Sequence, residues 1–342
     1  QINNIITNNK DRFHDEKDQI LSTGLKMSRY INVDDTGARH KSRNGYCTHI
    51  GNEYFAWFKS TDSKSRINFL NLLRCEYTDF VLNDQALEYM AEQKLPGYQL
   101  SKLLCHKDKI FKNETGWNKF LKRQKIKTER HNRIATEGAL IGSITYHDFN
   151  PDLAIISDDA GQFDIFLHGL CWVHAERTIQ KLVGYNAHQN QLLDKAKADI
   201  WKLYRALKKY RHNPSQPQKL KLETRFDSIF TRKTGFASLD IALKRIYQNK
   251  SELLLVLDRP DVPLHNNLSE RDIREYVKKR KISGSTRSDV GKRCRDTFTS
   301  LKKTCRKLGI SFWQYLIDRI EYQNKYPPLA KIMETQMSHS GG

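Results

Sequence analysis

Residues 262–280, VPLHNNLSERDIREYVKKR, hold the residue types that phosphate chemistry needs. Glu270 falls in the first turn of an expected helix, with Arg271, Arg274 and Lys278 close by. A carboxylate fixed there can hold a metal ion while the cations hold phosphates. Pro263 and Asn266-Asn267 mark the end of a loop. Asn267 is a good N-cap, so a helix is expected from about 268 towards 279. Ile273, Tyr276 and Val277 are spaced to face a core. A purely structural reading stands beside this one. Asn267 and Glu270 have the three-residue spacing of a capping box, with Asn where the strict box has Ser or Thr.

The elements that could position further chemistry are read in chain order. Residues 1–28 are polar with weak helical periodicity and read as a lead-in. A short strand over 30–33 ends at Asp34-Asp35, the Asn44-Gly45 pair signals a turn, and strands follow over 46–50 and 54–58. A helix covers 65–73. Residues 76–150 are helical and basic. Residues 153–157 form a fourth strand too apolar to be exposed, ending at Asp158-Asp159. A fifth is expected over 170–173, then a helix from 175. Between 187 and 257 the chain reads as nearly all helix. Leu193, Ala196, Ile200, Leu203, Leu207 and Tyr210 recur at helical spacing as core packing, with a break at 213–217. Two more helices are expected at about 290–308 and 312–322, and SHSGG reads as an unstructured end.

Lys and Arg number 59 against 39 Asp and Glu, giving a net charge of +20 over 342 residues. Such an excess favours a polyanionic partner, nucleic acid before membrane, because cations replace counterions along phosphates. Half of that excess falls in 271–310, where fourteen Lys/Arg face four Asp/Glu. A solvated charged face is the plainer reading of that stretch. No apolar run approaches a membrane span of ~18 residues, and the polar start carries no secretory signal. Beginning at Gln1, the chain reads as a fragment with a domain upstream. Six scattered cysteines form no disulfide framework, which fits a reducing cytoplasm. Walker loops, dinucleotide fingerprints and HExxH motifs are absent, disfavouring ATP-driven and nicotinamide chemistry.

NNLSERDIR, followed by GSTRSDVGKR and a helical tail, resembles the C-terminal signature of the insertion-sequence-66 family of bacterial DDE transposases. In that family the Glu of an N-N-x-x-E-R run is the third catalytic carboxylate. INVDDTGARH resembles the family's A-D-E-T segment, with Asp35 where Glu is usual and Gly37 where Pro is common. IISDDAGQF resembles T-D-G-Y-x-x-Y, with Asp159 in place of Gly. The resemblance implies a ribonuclease-H-like mixed α/β sheet on which Asp34, Asp158 and Glu270 converge as catalytic and metal-binding residues. Each Asp pair leaves a one-residue ambiguity. Neighbours on a strand face opposite ways, and Asp34 and Asp158 are the choice over Asp35 and Asp159. Taken alone, an Asp at a strand end reads as turn capping.

The implied cofactor is Mg²⁺ or Mn²⁺, as two ions, because hard cations take oxygen ligands and two can serve an in-line displacement at phosphorus. The implied organisation is a lead-in (1–28), a catalytic core in two parts (29–186 and 258–325) and a tail (326–342). The core carries a basic helical insertion at about 76–150, and an all-helical insertion (187–257) separates its two parts. Cys171-Trp172-Val173-His174 matches a C-W-x-H segment of the family. His174 is open to three readings: a residue supporting the site or touching DNA, a packed histidine, or half a zinc site with Cys47 and His49. Arg271, Arg274, Lys278, Lys279, Arg280, Arg287, Arg293 and Arg295 are the expected phosphate contacts, with residues 284–287 as a phosphate-holding loop. The expected function is metal-dependent cleavage of transposon-end DNA and strand transfer, by a homo-oligomer on double-stranded DNA in the bacterial cytoplasm. The alternatives are a ribonuclease-H-like nuclease or resolvase without strand transfer, and a domesticated, inactive DNA-binding protein.

Overall fold

A computed structural model describes residues 10–339. Its centre is a five-stranded sheet built from β1 (Tyr30–His40), β2 (Arg43–Gly51), β3 (Ala56–Thr61), β6 (Ala154–Ser157) and β7 (Leu167–Leu170), in the order β3-β2-β1-β6-β7. The first three strands are antiparallel, while β6 and β7 run parallel to β1.

β1 does not stop at its acids. It runs six residues past Asp34, so Asp34 and Asp35 are mid-strand, opposite His49 and Thr48. Asn44-Gly45 is not the turn either, since both residues pair with β1. Lys41 and Ser42 turn the chain instead, with φ of 49° and 63°, the two left-handed residues that a two-residue hairpin requires. Thr286 extends this end, bridging His40 in parallel.

Alternation along the strands divides the core. Ile31, Val33, Ile50 and Ile155 face the larger cluster, shared with α1 (Asp11–Met27), α2 (Arg66–Leu73) and α6 (Glu129–Tyr146). The region expected to be helical and basic holds α3 (Asp84–Glu92), α4 (Gly97–Leu104), α5 (Glu114–Arg123) and α6. It also holds a small ribbon of β4 (Phe80–Val81) and β5 (Ile110–Phe111) that the sequence reading missed. Ala154 and Ile156 face the other way. They join Leu170 and Trp172 in a second cluster with α8 (Ala187–Tyr210), α9 (Gln216–Phe230) and α10 (Ala237–Gln248). That segment is helical as expected and continues through α11 (Lys250–Leu253) and a 3₁₀ turn (Leu255–Leu257). Between β7 and α8, α7 (Trp172–Gln180) begins where the fifth strand was expected.

Two C-terminal helices close the other end. α12 (Asn267–Ser283) lays Ile273 and Tyr276 over Ala38, Cys47 and Phe58. α13 (Asp289–Lys307) covers the sheet edge. Asp296, Ser300 and Thr304, four residues apart, accept hydrogen bonds from the N–H groups of Ser60, Phe58 and Ala56, two residues apart. A helix turn and a strand dipeptide advance by similar lengths, so one face of α13 satisfies the outward donors of β3 and blocks further pairing.

The ends belong to the fold rather than to a lead-in and a tail. α1 buries Phe13, Ile20, Leu21 and Leu25 in the larger cluster, and α15 (Leu329–His339) buries Leu329, Met333 and Met337 there after α14 (Phe312–Ile320). The rest of the expected lead-in at 1–9 and the last three residues of SHSGG lie outside the described residues.

Candidate active site

The members of the two Asp pairs have different partners. β1 pairs β6 with Tyr30 beside Ala154 and Asn32 beside Ile156. β6 stops at Ser157, so Asp158 opens the loop that follows, near Asp34. Their charges interact. Burial first, and then the Asp158 charge, push the Asp34 carboxyl up to about 7. Its Oδ1 accepts the Asp35 N–H at 2.7 Å. Asp35 is engaged otherwise, accepting from Thr48 Oγ1 at 2.5 Å and Gln162 Nε2 at 3.0 Å. Burial raises Asp35 as well, and these two bonds oppose the rise. Asp159 is taken by α10, through an Arg245 ion pair at 2.5 Å and the Asn249 amide at 3.3 Å.

Glu270 is positioned by Asn266. The helix starts one residue earlier than expected, so Asn266, not Asn267, is the N-cap position, and its side chain caps nothing. Instead it is buried between elements. Its Oδ1 accepts from Asn32 at 2.8 Å, and its Nδ2 donates to the Val33 carbonyl at 2.7 Å. The Asn266 N–H donates to Cys171 Sγ at 3.2 Å, and the Trp172 N–H to the Leu264 carbonyl at 3.0 Å. The residues just before Asp34, the start of α7 and the start of α12 are thereby clamped at one point, and Glu270 follows one helical turn later. The capping-box reading fails because the expected cap has no such role.

His174 stands beside Glu270, Nε2 to Oε1 at 3.6 Å. The zinc reading is not supported. Cys171 Sγ is occupied by the Asn266 N–H, and His49 is buried between Ser269 Oγ at 2.9 Å and Asp272 at 3.2 Å. Among the described residues, the one group of three His, Cys, Asp or Glu ligand atoms within 4.8 Å of one another is Asp164, His168 and Glu252, away from these acids.

The expected phosphate contacts fall into two sets. Arg271, Arg274 and Lys278 line one open groove with Lys302, Lys303 and Arg306. The others are spread around it and mostly engaged. Lys279 donates to Thr299 at 3.3 Å, and Arg280 to the Gly37 carbonyl, where a Cβ on Gly37 would come within 3.0 Å of the guanidinium. Arg295 lies 4.8 Å over the Tyr276 ring, and Arg293 is 3.8 Å from Asp11. Arg287 is exposed beside the Thr286 bridge.

Asn32, Asn266, Thr48, Gln162 and Lys64 were missed from the sequence. Lys64 lowers the carboxyl pKa of both Asp34 and Asp35, opposing the rise that burial causes. Only Asn266 carried a local signal, as half of an Asn-Asn pair. The others are recognisable only once partners distant in sequence are known.

A mixed sheet with one acid on its central strand, a second just past the neighbouring strand and a third in the first turn of a helix tied to that sheet defines a class of carboxylate-bearing α/β proteins. The chain belongs to the IS66 transposase family. Residues 159–293 match the model described as "Transposase IS66 family", a span that contains His174 and Glu270 and begins one residue after Asp158. An "Uncharacterized protein y4jO" of Sinorhizobium fredii is 43% identical over 317 residues, covering 92% of this chain and 99% of that relative. No solved structure matches the chain. Among the described residues, no helix is long and apolar enough to cross a membrane.

Proposed function

We propose that the chain is a DNA transposase that cleaves transposon-end DNA and joins its 3′ end to target DNA, with Asp34, Asp158 and Glu270 as its catalytic carboxylates on a ribonuclease-H-like fold. The observation that carries this reading is the interaction of the Asp34 and Asp158 charges, together with the Asn266 anchor that ties the Glu270 helix to the strand bearing Asp34. The strand order, with three antiparallel strands followed by two parallel ones, supports the fold assignment. Membership of the family supports the transposase activity.

The donor set fits a divalent cation. It offers carboxylate oxygens only, and the burial and Asp158 charge that together lift Asp34 are what a bound cation offsets. Asp34, Asp158 and Glu270 would hold Mg²⁺ or Mn²⁺, which in pairs activates the attacking oxygen and stabilises the leaving one. The chain's own contribution is positional. Asn266 sets the height of α12 over β1, and His174 faces the Glu270 carboxylate from α7. Gln162 and Thr48 donate hydrogen bonds to Asp35 and fix its carboxylate. Arg271, Arg274 and Lys278 offer phosphate contacts on the same helix as Glu270.

The test is nicking of supercoiled plasmid in Mg²⁺ or Mn²⁺, beside joining of pre-cut duplexes with free 3′-hydroxyl ends. Nicking and joining by the wild type, both lost in Asp34→Asn and Glu270→Gln while DNA binding persists, is the expected result. Nicking without joining would make the protein a nuclease, and binding without either an inactive DNA-binding protein.

A further inference from the structure

We propose a second cation site, separate from Asp34, Asp158 and Glu270, in which Asp164, His168 and Glu252 bind a divalent transition-metal ion such as Zn²⁺. Asp164 comes from the loop between β6 and β7, His168 from β7 and Glu252 from α11. Their ligand atoms all lie within 4.8 Å of one another.

The histidine tautomer carries the argument. Ser157 Oγ donates its hydrogen to the Asp158 carbonyl at 2.5 Å. It can therefore only accept from His168 Nε2, 2.8 Å away. A neutral His168 thus has its proton on Nε2 and a lone pair on Nδ1. The side chain is 5% exposed, and Nδ1 is buried without a hydrogen-bond partner. This lone pair looks at two carboxylates, Glu252 Oε1 at 3.7 Å and Asp164 Oδ1 at 3.8 Å. Three electron-rich atoms facing one point repel unless a cation lies between them.

The spacing is close to a coordination shell. Bonds of ~2.1 Å in a tetrahedron put neighbouring ligands about 3.4 Å apart, so each carboxylate oxygen needs to approach His168 Nδ1 by only a few tenths of an ångström. The imidazole favours a transition metal over Mg²⁺ or Ca²⁺. A histidine ligand whose other nitrogen donates to an outer hydroxyl is the usual supported arrangement. The surrounding charges leave the position available. Arg66 is near the other Asp164 oxygen, Oδ2, at 3.9 Å. Lys250 is paired with Asp227 and Lys219 with Asp258. The face is open along Glu223, Gln248 and Ser251, so water can complete the shell. A cation here would fasten α11 to β7 and to the loop that follows Asp158.

The test uses the full chain carrying Asp34→Asn and Glu270→Gln, which removes the proposed catalytic ligands, stripped of metal and titrated with Zn²⁺ at pH 7 by calorimetry. One Zn²⁺ per chain is expected. His168→Ala should abolish it, and Glu252→Gln or Asp164→Asn should weaken it at least about tenfold. Ser157→Ala should weaken it roughly 10- to 100-fold, as loss of an outer-shell partner does. Asp164 is exposed, so Asp164→Asn reports even if a buried variant fails to fold. The proposal is overturned if the background variant takes up no Zn²⁺, if uptake survives His168→Ala, or if Mg²⁺ competes equally. It also falls if ring nitrogen shifts show His168 as an imidazolium in saturating Zn²⁺, which would make the three residues an ion-paired histidine.

Discussion

Asp34 is half-buried, with the Asp158 and Asp35 carboxylates acting on it, an arrangement that disfavours its charged form and costs stability when no cation is present. Its carboxyl is pushed up to about 7, by burial first and Asp158 next. Asp34→Asn is therefore expected to stabilise the metal-free protein by about 1–2 kcal/mol at neutral pH, the usual trade between stability and a strained site. Urea denaturation in EDTA measures it, and a destabilised variant would contradict the charge argument. Asn266 is expected to behave in the opposite way. It makes two buried side-chain hydrogen bonds to β1, and Asn266→Ala leaves the Asn32 amide and the Val33 carbonyl unpaired. A loss of roughly 2–4 kcal/mol is expected, with cleavage reduced further than DNA binding because Glu270 loses its anchor. Equal losses of binding and cleavage would mean that Asn266 supports the whole helix rather than the acid. The types of these residues were legible in the sequence, and so was the Glu270 helix. The clamp that joins β1 to the start of that helix was not, because Asn266 and Asn32 are 234 positions apart and neither has a local pattern naming the other.

Among the elements, α12 and α13 are tied to the sheet by charge. Burial alone would raise Asp272. The His49 hydrogen bond and the Lys307 charge overcome it and hold the carboxyl well below the usual range. Lys307 is 2.7 Å and Lys303 3.5 Å away, both largely buried. The sign follows from the depressed pKa: this stability is fully present above the unfolded value of about 4 and is lost as pH falls through the lower native value. The wild type should thus lose stability below about pH 4, and Asp272→Asn should flatten that part of the profile. At pH 7 the variant should be about 3 kcal/mol less stable, since the largely buried Lys307 loses its carboxylate partner and Lys303 is left with Glu275 alone. Calorimetric unfolding from pH 3 to 7 checks both, and an unchanged acid slope would exclude Asp272 as its source. The elements themselves were mostly readable, because apolar spacing marks helices such as α8 and turn residues bound strands. Misreadings came where tertiary contacts override local chemistry. Two acids seemed to end β1, but Thr48 and Gln162 accommodate Asp35 within the fold, and the chain turns at Lys41-Ser42 despite a nearby Asn-Gly pair.

At the scale of the whole molecule, a charge of +20 matters only where cations are free to meet phosphate. The stretch 271–310 divides on that criterion. Glu275 takes Lys302 at 2.7 Å and Lys303 at 3.1 Å, while Asp289 takes Lys41 at 2.6 Å and Lys292 at 3.5 Å. Lys279, Arg280 and Arg295 bond within the fold. Arg271, Arg274, Lys278 and Arg306 are exposed, pair with no carboxylate among the described residues, and line one groove between α12, which carries Glu270, and α13. This groove is the expected DNA path. Arg271→Ala, Arg274→Ala and Lys278→Ala together should weaken binding to all duplexes alike. Each lost phosphate contact should lower the slope of log affinity against log salt by roughly 0.9. The same three changes at Lys279, Arg280 and Arg295 should act mainly on stability and leave the slope nearly unchanged. Binding isotherms at several salt concentrations separate the sets. If the first set keeps the wild-type slope, the groove is a solvated face, and the basic stretch from Lys119 to Arg133 becomes the surface to test.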